Sequence, residues 1–174
     1  MDVFLMGYMG SGKSTIGPLL AAKLNIDFID FDTYICKSEG LTIPQLFNQK
    51  GEIYFRKKEA FYLKEIINNA APNKKRVISL GGGTPCYGNN LNHIQEAGGM
   101  SIYLKWNVVT LANRLWRSRA QRPLIANQQT KELLEEFVRK HLFERGFYYN
   151  QSNAVLSMDG KTPKEVVAEI AELL

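Results

Sequence analysis

Gly7-Tyr8-Met9-Gly10-Ser11-Gly12-Lys13-Ser14 occupies every fixed position of the pattern G-x-x-x-x-G-K-[ST]. The apolar run 3–6 (VFLM) precedes it and residues with helical spacing follow, the strand–loop–helix setting the pattern requires. Each residue type has a physical task there. Glycines let the backbone curl so that successive N–H groups face one phosphate at the positive end of a helix dipole. Lys13 supplies a compact cation for β- and γ-phosphate oxygens, and the Ser14 hydroxyl is a hard ligand for Mg2+. The stretch predicts a chain that binds a nucleoside triphosphate.

Outward from this loop, four more short apolar runs read as strands: 26–29 (IDFI), 77–80 (VISL), 102–104 (IYL) and 154–156 (AVL). Helical spacing lies between them. In the first helix Ile16, Leu19, Leu20 and Leu24 fall on one face. The stretch 52–70 groups Phe55, Tyr62, Leu63, Ile66 and Ile67, and 130–148 turns Leu133, Leu134, Phe137, Val138 and Leu142 inward. A last helix opens with a capping box, Thr162 as N-cap and Glu165 three residues on, with Pro163 in its first turn. Strands alternating with helices require right-handed crossovers and a mostly parallel sheet covered on both faces. The expected fold is therefore a doubly wound α/β domain. Pro18 conflicts locally, since it removes an i→i−4 hydrogen bond and can kink the first helix. No repeat, low-complexity tract or linker divides the 174 residues, so one domain over 1–174 is expected.

With 22 Lys and Arg against 17 Asp and Glu, the formal charge is +5. Such an excess suits nucleic acid, a membrane surface or a small anion, and only the positions of the charges separate these. Apolar residues make up 45% and charged residues 22%, which excludes a disordered or fibrous chain. No window nears the roughly 18 consecutive apolar residues of a membrane span. The opening MDVFLMGYMG has no basic n-region, so no signal peptide is expected. Cys36 and Cys86 stand apart from any second cysteine or histidine at ligand spacing, as reduced thiols in a cytoplasmic protein would.

Many enzymes with this loop carry an aspartate after a later apolar strand to hold Mg2+. Here Ser79 stands near that place, and the acids instead close the second strand as Asp30-Phe31-Asp32. Strand C-termini of a parallel sheet line the ligand crevice. In extended chain a spacing of two points both carboxylates the same way, one toward a metal and one toward an acceptor hydroxyl. A helix-capping turn before Thr33 is the plainer use of the same acids. Gly81-Gly82-Gly83 follows the third strand and offers bare N–H groups to a small polar ligand, or forms a turn with Thr84-Pro85. Arg114, Arg117, Arg119 and Arg122, half of the chain's eight arginines, crowd 114–122 without an acid. A lid that closes on phosphates has this character. Trp116 alone interrupts the cluster with an aromatic ring, too little interleaving for a nucleic-acid platform, so no nucleic-acid partner is expected. His93 and His141 read as surface or helix positions.

Taken in order, Gly7–Ser14, Asp30-Phe31-Asp32, Phe55-Arg56-x-x-Glu59, Leu80-Gly81-Gly82-Gly83, Arg122-Pro123-Leu124 and Arg145 resemble the shikimate kinase family over essentially the whole chain. The resemblance implies a three-layer P-loop kinase fold with a five-stranded parallel sheet ordered 2-3-1-4-5. It also implies a substrate-binding region at about 32–60 and a short lid at about 115–128. The implied reaction is transfer of the ATP γ-phosphate to the 3-hydroxyl of shikimate, on the way to chorismate and the aromatic amino acids, by a monomer that uses Mg2+. Gly10, Ser11, Gly12, Lys13, Ser14 and Thr15 would hold ATP together with Arg114 and Arg122, and Ser14 and Asp30 would stand at the metal. Asp32 would hold the accepting hydroxyl and help remove its proton, with Lys13 and Arg122 as the other catalytic residues. Arg56 and Arg145 would grip the carboxylate with guanidinium forks, beside Gly81, Gly82 and Gly83. The family usually has a basic residue where Pro18 stands. A slightly longer lid leaves the adenine-side arginine open between Arg114 and Arg117, and Lys161 is a weaker candidate beside the adenine. Gluconate or a nucleotide is the competing acceptor, against which the triple glycine and the two separated arginines argue.

Overall fold

The computed structural model describes residues 2–69, 74–122 and 124–174. Five parallel strands form one sheet: β1 (Val3–Met6), β2 (Asp27–Asp30), β3 (Arg76–Ser79), β4 (Met100–Lys105) and β5 (Ala154–Ser157). Their order is β2-β3-β1-β4-β5, as the resemblance implies. Around them run α1 (Lys13–Leu24), α2 (Phe31–Glu39), α3 (Ile43–Lys50), α4 (Glu52–Asn68), α5 (Asn90–Glu96), α6 (Val108–Arg117), α7 (Lys131–Tyr149) and α8 (Pro163–Glu172). Among the described residues no helix is long and apolar enough to cross a membrane.

β1 takes the centre because all four of its residues are buried, whichever face they point to. Val3 and Leu5 pack with Ile16, Leu20, Val77, Ile102, Val166 and Ile170 beneath α1 and α8. Phe4 and Met6 alternate to the other face and meet Phe31, Leu63, Ile78 and Tyr149 from α2, α4, β3 and α7. A third cluster, Tyr8, Leu111, Leu115, Ile125, Leu134 and Val138, seats α6 and the segment after it on α7. β2 and β3 end level, with Asp30 opposite Ser79, and β1 runs directly into the Gly-rich loop. Three chain exits thus converge at one edge of the sheet, where a doubly wound fold opens its crevice.

The second strand lies one residue later than its apolar run and takes in Asp30, and β4 extends beyond 102–104 at both ends. Helices α2, α3, α5 and α6 lie outside the segments expected to be helical, although α6 has helical apolar spacing at Val108, Leu111, Ala112 and Leu115. They are short, and three are fixed by caps: Asp30 accepts from Thr33 N–H, Thr42 and Gln45 form a capping box, and Asn107 accepts from Val109 N–H. The capping box expected at Thr162 and Glu165 is present. Leu19 and Leu133, expected inward, are 45% and 47% exposed. On α1 the seam belongs instead to Ile16, Gly17, Leu20 and Ala21, and on α7 to Leu134 and Val138. α1 runs on through Pro18, which is exposed. The expected end of the 52–70 helix, Ala70, falls outside the described residues, as does Pro123.

Gly17 decides how closely the loop-bearing helix approaches the sheet. A Cβ there would sit 2.3 Å from Phe28 Cε2 and 3.0 Å from its Cζ, so any side chain must push α1 off β2 or displace the ring. Gly17→Val is expected to cost about 1–3 kcal/mol by overpacking, read as a lower urea midpoint at unchanged slope.

Candidate active site

The Gly-rich loop closes around a cation. Gly7, Gly10 and Gly12 adopt φ of 148°, 75° and 101°, backbone that side chains rarely take. Space is closed as well, since a Cβ at Gly10 would meet Leu115 Cδ2 at 2.7 Å. Inside the loop Lys13 Nζ donates to the Gly7 carbonyl (2.7 Å), the Tyr8 carbonyl (3.0 Å) and Ser11 Oγ (3.4 Å). Burial pulls the Lys13 pKa down to about 8; Asp32 and Asp30 oppose that fall, while Arg122 and Arg145 add to it. Behind the loop, Trp106 Nε1–H donates to the Ser11 carbonyl (2.8 Å), and the Arg114 guanidinium lies over the same indole at 4.4 Å.

The two acids sit at the junction of β2 and α2. Asp30 Oδ1 accepts from Thr33 N–H (2.9 Å) and its Oδ2 accepts from Ser14 Oγ–H (3.3 Å), so one carboxylate both caps a helix and addresses the loop serine. Asp32 is not in extended chain but in the first turn of α2. Its carboxylate nevertheless reaches the crevice, close enough to Gly81 that a Cβ there would lie 2.7 Å from Asp32 Oδ1. One face of Asp32 opens to the crevice and protein surrounds the rest. That enclosure raises its pKa to about 6; Lys13 pulls against the rise, and Asp30 and Glu59 reinforce it.

Beyond Asp32 the lining takes in Arg56, Glu59 and Arg145. Arg56 donates from Nη1 to Glu59 Oε2 (2.8 Å), and Glu59, itself 1% exposed, also accepts from Thr84 Oγ1–H (2.7 Å). Arg145, from the last turns of α7, lies with its guanidinium 5.4 Å from the Tyr8 ring centre. The Tyr149 hydroxyl donates to the Gly82 carbonyl and so ties α7 to the triple glycine. Tyr8 hydroxyl and His141 Nδ1 share a hydrogen bond of 2.9 Å, which gives His141 a structural partner rather than a free surface position.

Two adjoining cavities result. One of about 270 Å³ is walled by Gly10, Gly12, Lys13, Ser14, Thr15, Asp30, Arg114 and Arg122. The other, about 660 Å³, takes Arg56, Gly81, Gly83 and Arg145 together with Ile43, Phe47 and Leu124. Met9, Asp32, Gly82 and Arg122 belong to both. The expected site residues thus gather here with one exception: Ser11 is enclosed within the loop, 1% exposed, and forms no part of the wall. Arg114 lines the smaller cavity and Arg117 does not; Arg119 stacks on Trp116 at 3.7 Å, and Lys161 pairs with Glu169 at 2.5 Å. Among the described residues no three His, Cys, Asp or Glu side chains converge on a point. Ser14 and Asp30 offer two hard oxygens, a donor set that fits Mg2+ completed by water and phosphate.

Trp106 and Tyr149 carry no mark in the sequence that assigns them to the site. For Trp106 the one available signal is its place directly after an apolar strand, at the crevice edge. Tyr149 has none, because its partner lies 67 residues away.

A family model described as shikimate kinase matches residues 9–174. The curated shikimate kinase of Flavobacterium psychrophilum is 44% identical over 172 residues, spanning 99% of this chain and 98% of its own length. Among solved structures, shikimate kinase from Bacteroides thetaiotaomicron superposes with a TM-score of 0.88 at 32% identity, covering 99% of this chain and 97% of that one. Shikimate kinase from Acinetobacter baumannii in complex with shikimate gives 0.85 at 29% identity, covering 99% and 91%.

The Trp106 hydrogen bond braces the Gly-rich loop from behind through the Ser11 carbonyl. Trp106→Phe keeps the ring and deletes the donor, and is expected to weaken Mg-nucleotide binding about 2- to 10-fold by calorimetric titration, with the unfolding midpoint little changed.

Proposed function

The chain belongs to the shikimate kinase family, and we propose that it transfers the γ-phosphate of ATP to the 3-hydroxyl of shikimate, giving shikimate 3-phosphate and ADP. One observation carries this reading: Asp32 stands on the wall shared by two cavities, one built around Lys13 and the other around Arg56 and Arg145. A phosphate donor on one side and a carboxylate-bearing acceptor on the other bring the transferring group and the accepting hydroxyl together at that carboxylate. The whole chain, 1–174, acts as one P-loop kinase domain, with the acceptor region at about 32–60 and the lid at about 115–128.

The residues divide the work by charge. The N–H groups of Gly10 to Thr15 and the ammonium of Lys13 receive the β- and γ-phosphates at the N-terminus of α1. An arriving polyanion raises the Lys13 pKa back from the value to which burial lowers it. Ser14 Oγ and Asp30 hold Mg2+, which when bound neutralises phosphate charge. Arg122 from the lid faces the transferring group, and Arg114 takes the adenine side. Arg56 and Arg145 fork onto the shikimate carboxylate, and the backbone of Gly81, Gly82 and Gly83 lies along the ring. Asp32 accepts the hydroxyl proton. Phosphoryl transfer asks little covalent chemistry of a protein, so holding these groups in line is most of the catalysis.

In this reading the enzyme works as a monomer, and the use of ATP supports a cytoplasmic setting. The cleft-facing arginines answer to small anions, so neither nucleic acid nor membrane is a partner. Coupled ADP release with Mg-ATP is the direct test. Shikimate-stimulated turnover is expected from a fraction eluting at the single-chain mass of 19.8 kDa; faster turnover on gluconate or a nucleoside monophosphate would replace this acceptor.

The raised pKa of Asp32 gives the pH profile its sign. Below about 6 the carboxyl is protonated in the free enzyme and cannot take a proton. Accordingly kcat/KM for shikimate is expected to fall tenfold per unit as pH drops below that value. Asp32→Asn should lower kcat by roughly 10²- to 10⁴-fold and flatten this acid limb. Arg145→Ala removes one carboxylate fork and is expected to raise the KM for shikimate about tenfold or more while the KM for ATP holds; an unchanged shikimate KM excludes Arg145 from the site.

A further inference from the structure

Arg56 is held more closely than one carboxylate would hold it. Its Nη1 donates to Glu59, and its Nε donates to Glu52 Oε1 at 3.4 Å. The Tyr87 ring centre lies 3.7 Å from the guanidinium carbon, closer than the rings of Phe55 (5.0 Å) and Phe47 (5.7 Å). Gly83 closes another side, since a Cβ there would stand 3.0 Å from Nη1 and 3.1 Å from Nη2 and 3.3 Å from Tyr87 Cε2. Among the described residues no acceptor meets Nη2, which leaves that edge of the fork for an anion.

Local sequence explains why Tyr87 reaches this place. A 3-10 turn, Thr84–Cys86, follows the triple glycine, with Pro85 in its first turn and Cys86 N–H donating to the Gly83 carbonyl (2.8 Å). Tyr87 then leaves in extended backbone (φ −120°, ψ 144°). Asn90 returns from α5 to fasten the turn, its Nδ2 donating to the Thr84 carbonyl (3.0 Å). The turn that ends the glycine run therefore delivers an aromatic face onto the arginine.

We propose that Tyr87 is a positioning residue for the acceptor carboxylate, stacking on Arg56 so that its open N–H edge is set before the ligand binds. The inference rests on the reading of Arg56 as a carboxylate fork. A flexible arginine loses rotamer freedom when it grips an anion, and ordering it beforehand removes that cost from binding. An aromatic face suits this task because it attracts the cation without occupying any N–H that the carboxylate needs. A second carboxylate in the same position would instead compete with the ligand for those donors.

Tyr87→Ala is expected to raise the KM for shikimate about tenfold, with kcat and the KM for ATP within twofold of the parent, while Tyr87→Phe stays near the parent on all three. A shikimate KM within twofold in Tyr87→Ala, or a loss in Tyr87→Phe equal to that in Tyr87→Ala, would overturn the proposal. The Arg56 Nε–H resonance, assigned by its loss in Arg56→Lys, tests the contact in the ligand-free protein. Ring current should hold it upfield in the parent and in Tyr87→Phe and release it in Tyr87→Ala; an unmoved resonance refutes the stack. Absence of shikimate turnover in the parent would count against the assigned reaction, whereas an active parent indifferent to Tyr87→Ala would count against Tyr87 alone.

Discussion

A buried ammonium is tolerable only where its hydrogens are met, and Lys13 meets them with its own loop. Gly7 and Tyr8 lend carbonyls and Ser11 a hydroxyl, so the cation and the loop shape specify each other. The loop cannot relax without stranding the charge, and the charge cannot leave without unmaking the loop. Trp106 fixes the outer side of the same curve through the Ser11 carbonyl. Burial still weakens the ammonium, and Asp32 and Asp30 offset part of that loss. The free protein thus holds a cation whose missing compensation is an anion, which is what a phosphate supplies.

The +5 charge acquires meaning from what each arginine leans on. Arg76 is structural: it pairs with Asp2 and donates to the Ile66 carbonyl, stitching β3 to the start of the chain and the end of α4. Arg139 pairs with Glu135 along an exposed turn of α7, and Arg119 lies on Trp116. Three of the four arginines on the cavity walls rest on aromatic rings: Arg56 on Tyr87, Arg114 on Trp106 and Arg145 on Tyr8. A ring steadies a guanidinium while leaving its donors free, whereas a carboxylate uses them. Among the described residues Arg56 alone of these three carries both kinds of support, with Glu59 on Nη1 and Glu52 on Nε leaving Nη2 open.

What could be read along the chain was whatever is written within a few residues. The loop pattern, the Thr162 cap and the alternation of strands with helices are local, and each stands in the structure. The sheet order and the pairing of distant acids and arginines came with the family resemblance, not with periodicity. Leu19 and Leu133 misled because an apolar residue beside a seam is indistinguishable from one within it until the partner surface is known. Spans of 95, 67 and 133 residues separate Trp106 from Ser11, Tyr149 from Gly82 and Tyr8 from His141, and no local pattern records such contacts. Asp30 shows a subtler limit. Helix cap and site acid read as alternative uses, yet one oxygen caps Thr33 while the other accepts from the loop serine Ser14.

That double use follows from where the acid sits. Ser79 ends β3, the strand beside β1, and Asp30 faces it from β2 in register. Placing the acid one strand further out keeps it within reach of Ser14 and leaves the tail of β3 to the triple glycine. A bulky or charged side chain at Gly81 would collide with Asp32 and Thr84, and one at Gly83 with Arg56. The bare backbone there is therefore what allows Asp32, Arg56 and an open cavity to share one wall. The start of α2 immediately after β2 then turns Asp32 in from the helix rather than along the strand, so Asp30 lines the smaller cavity alone while Asp32, two residues on, stands on the wall both cavities share.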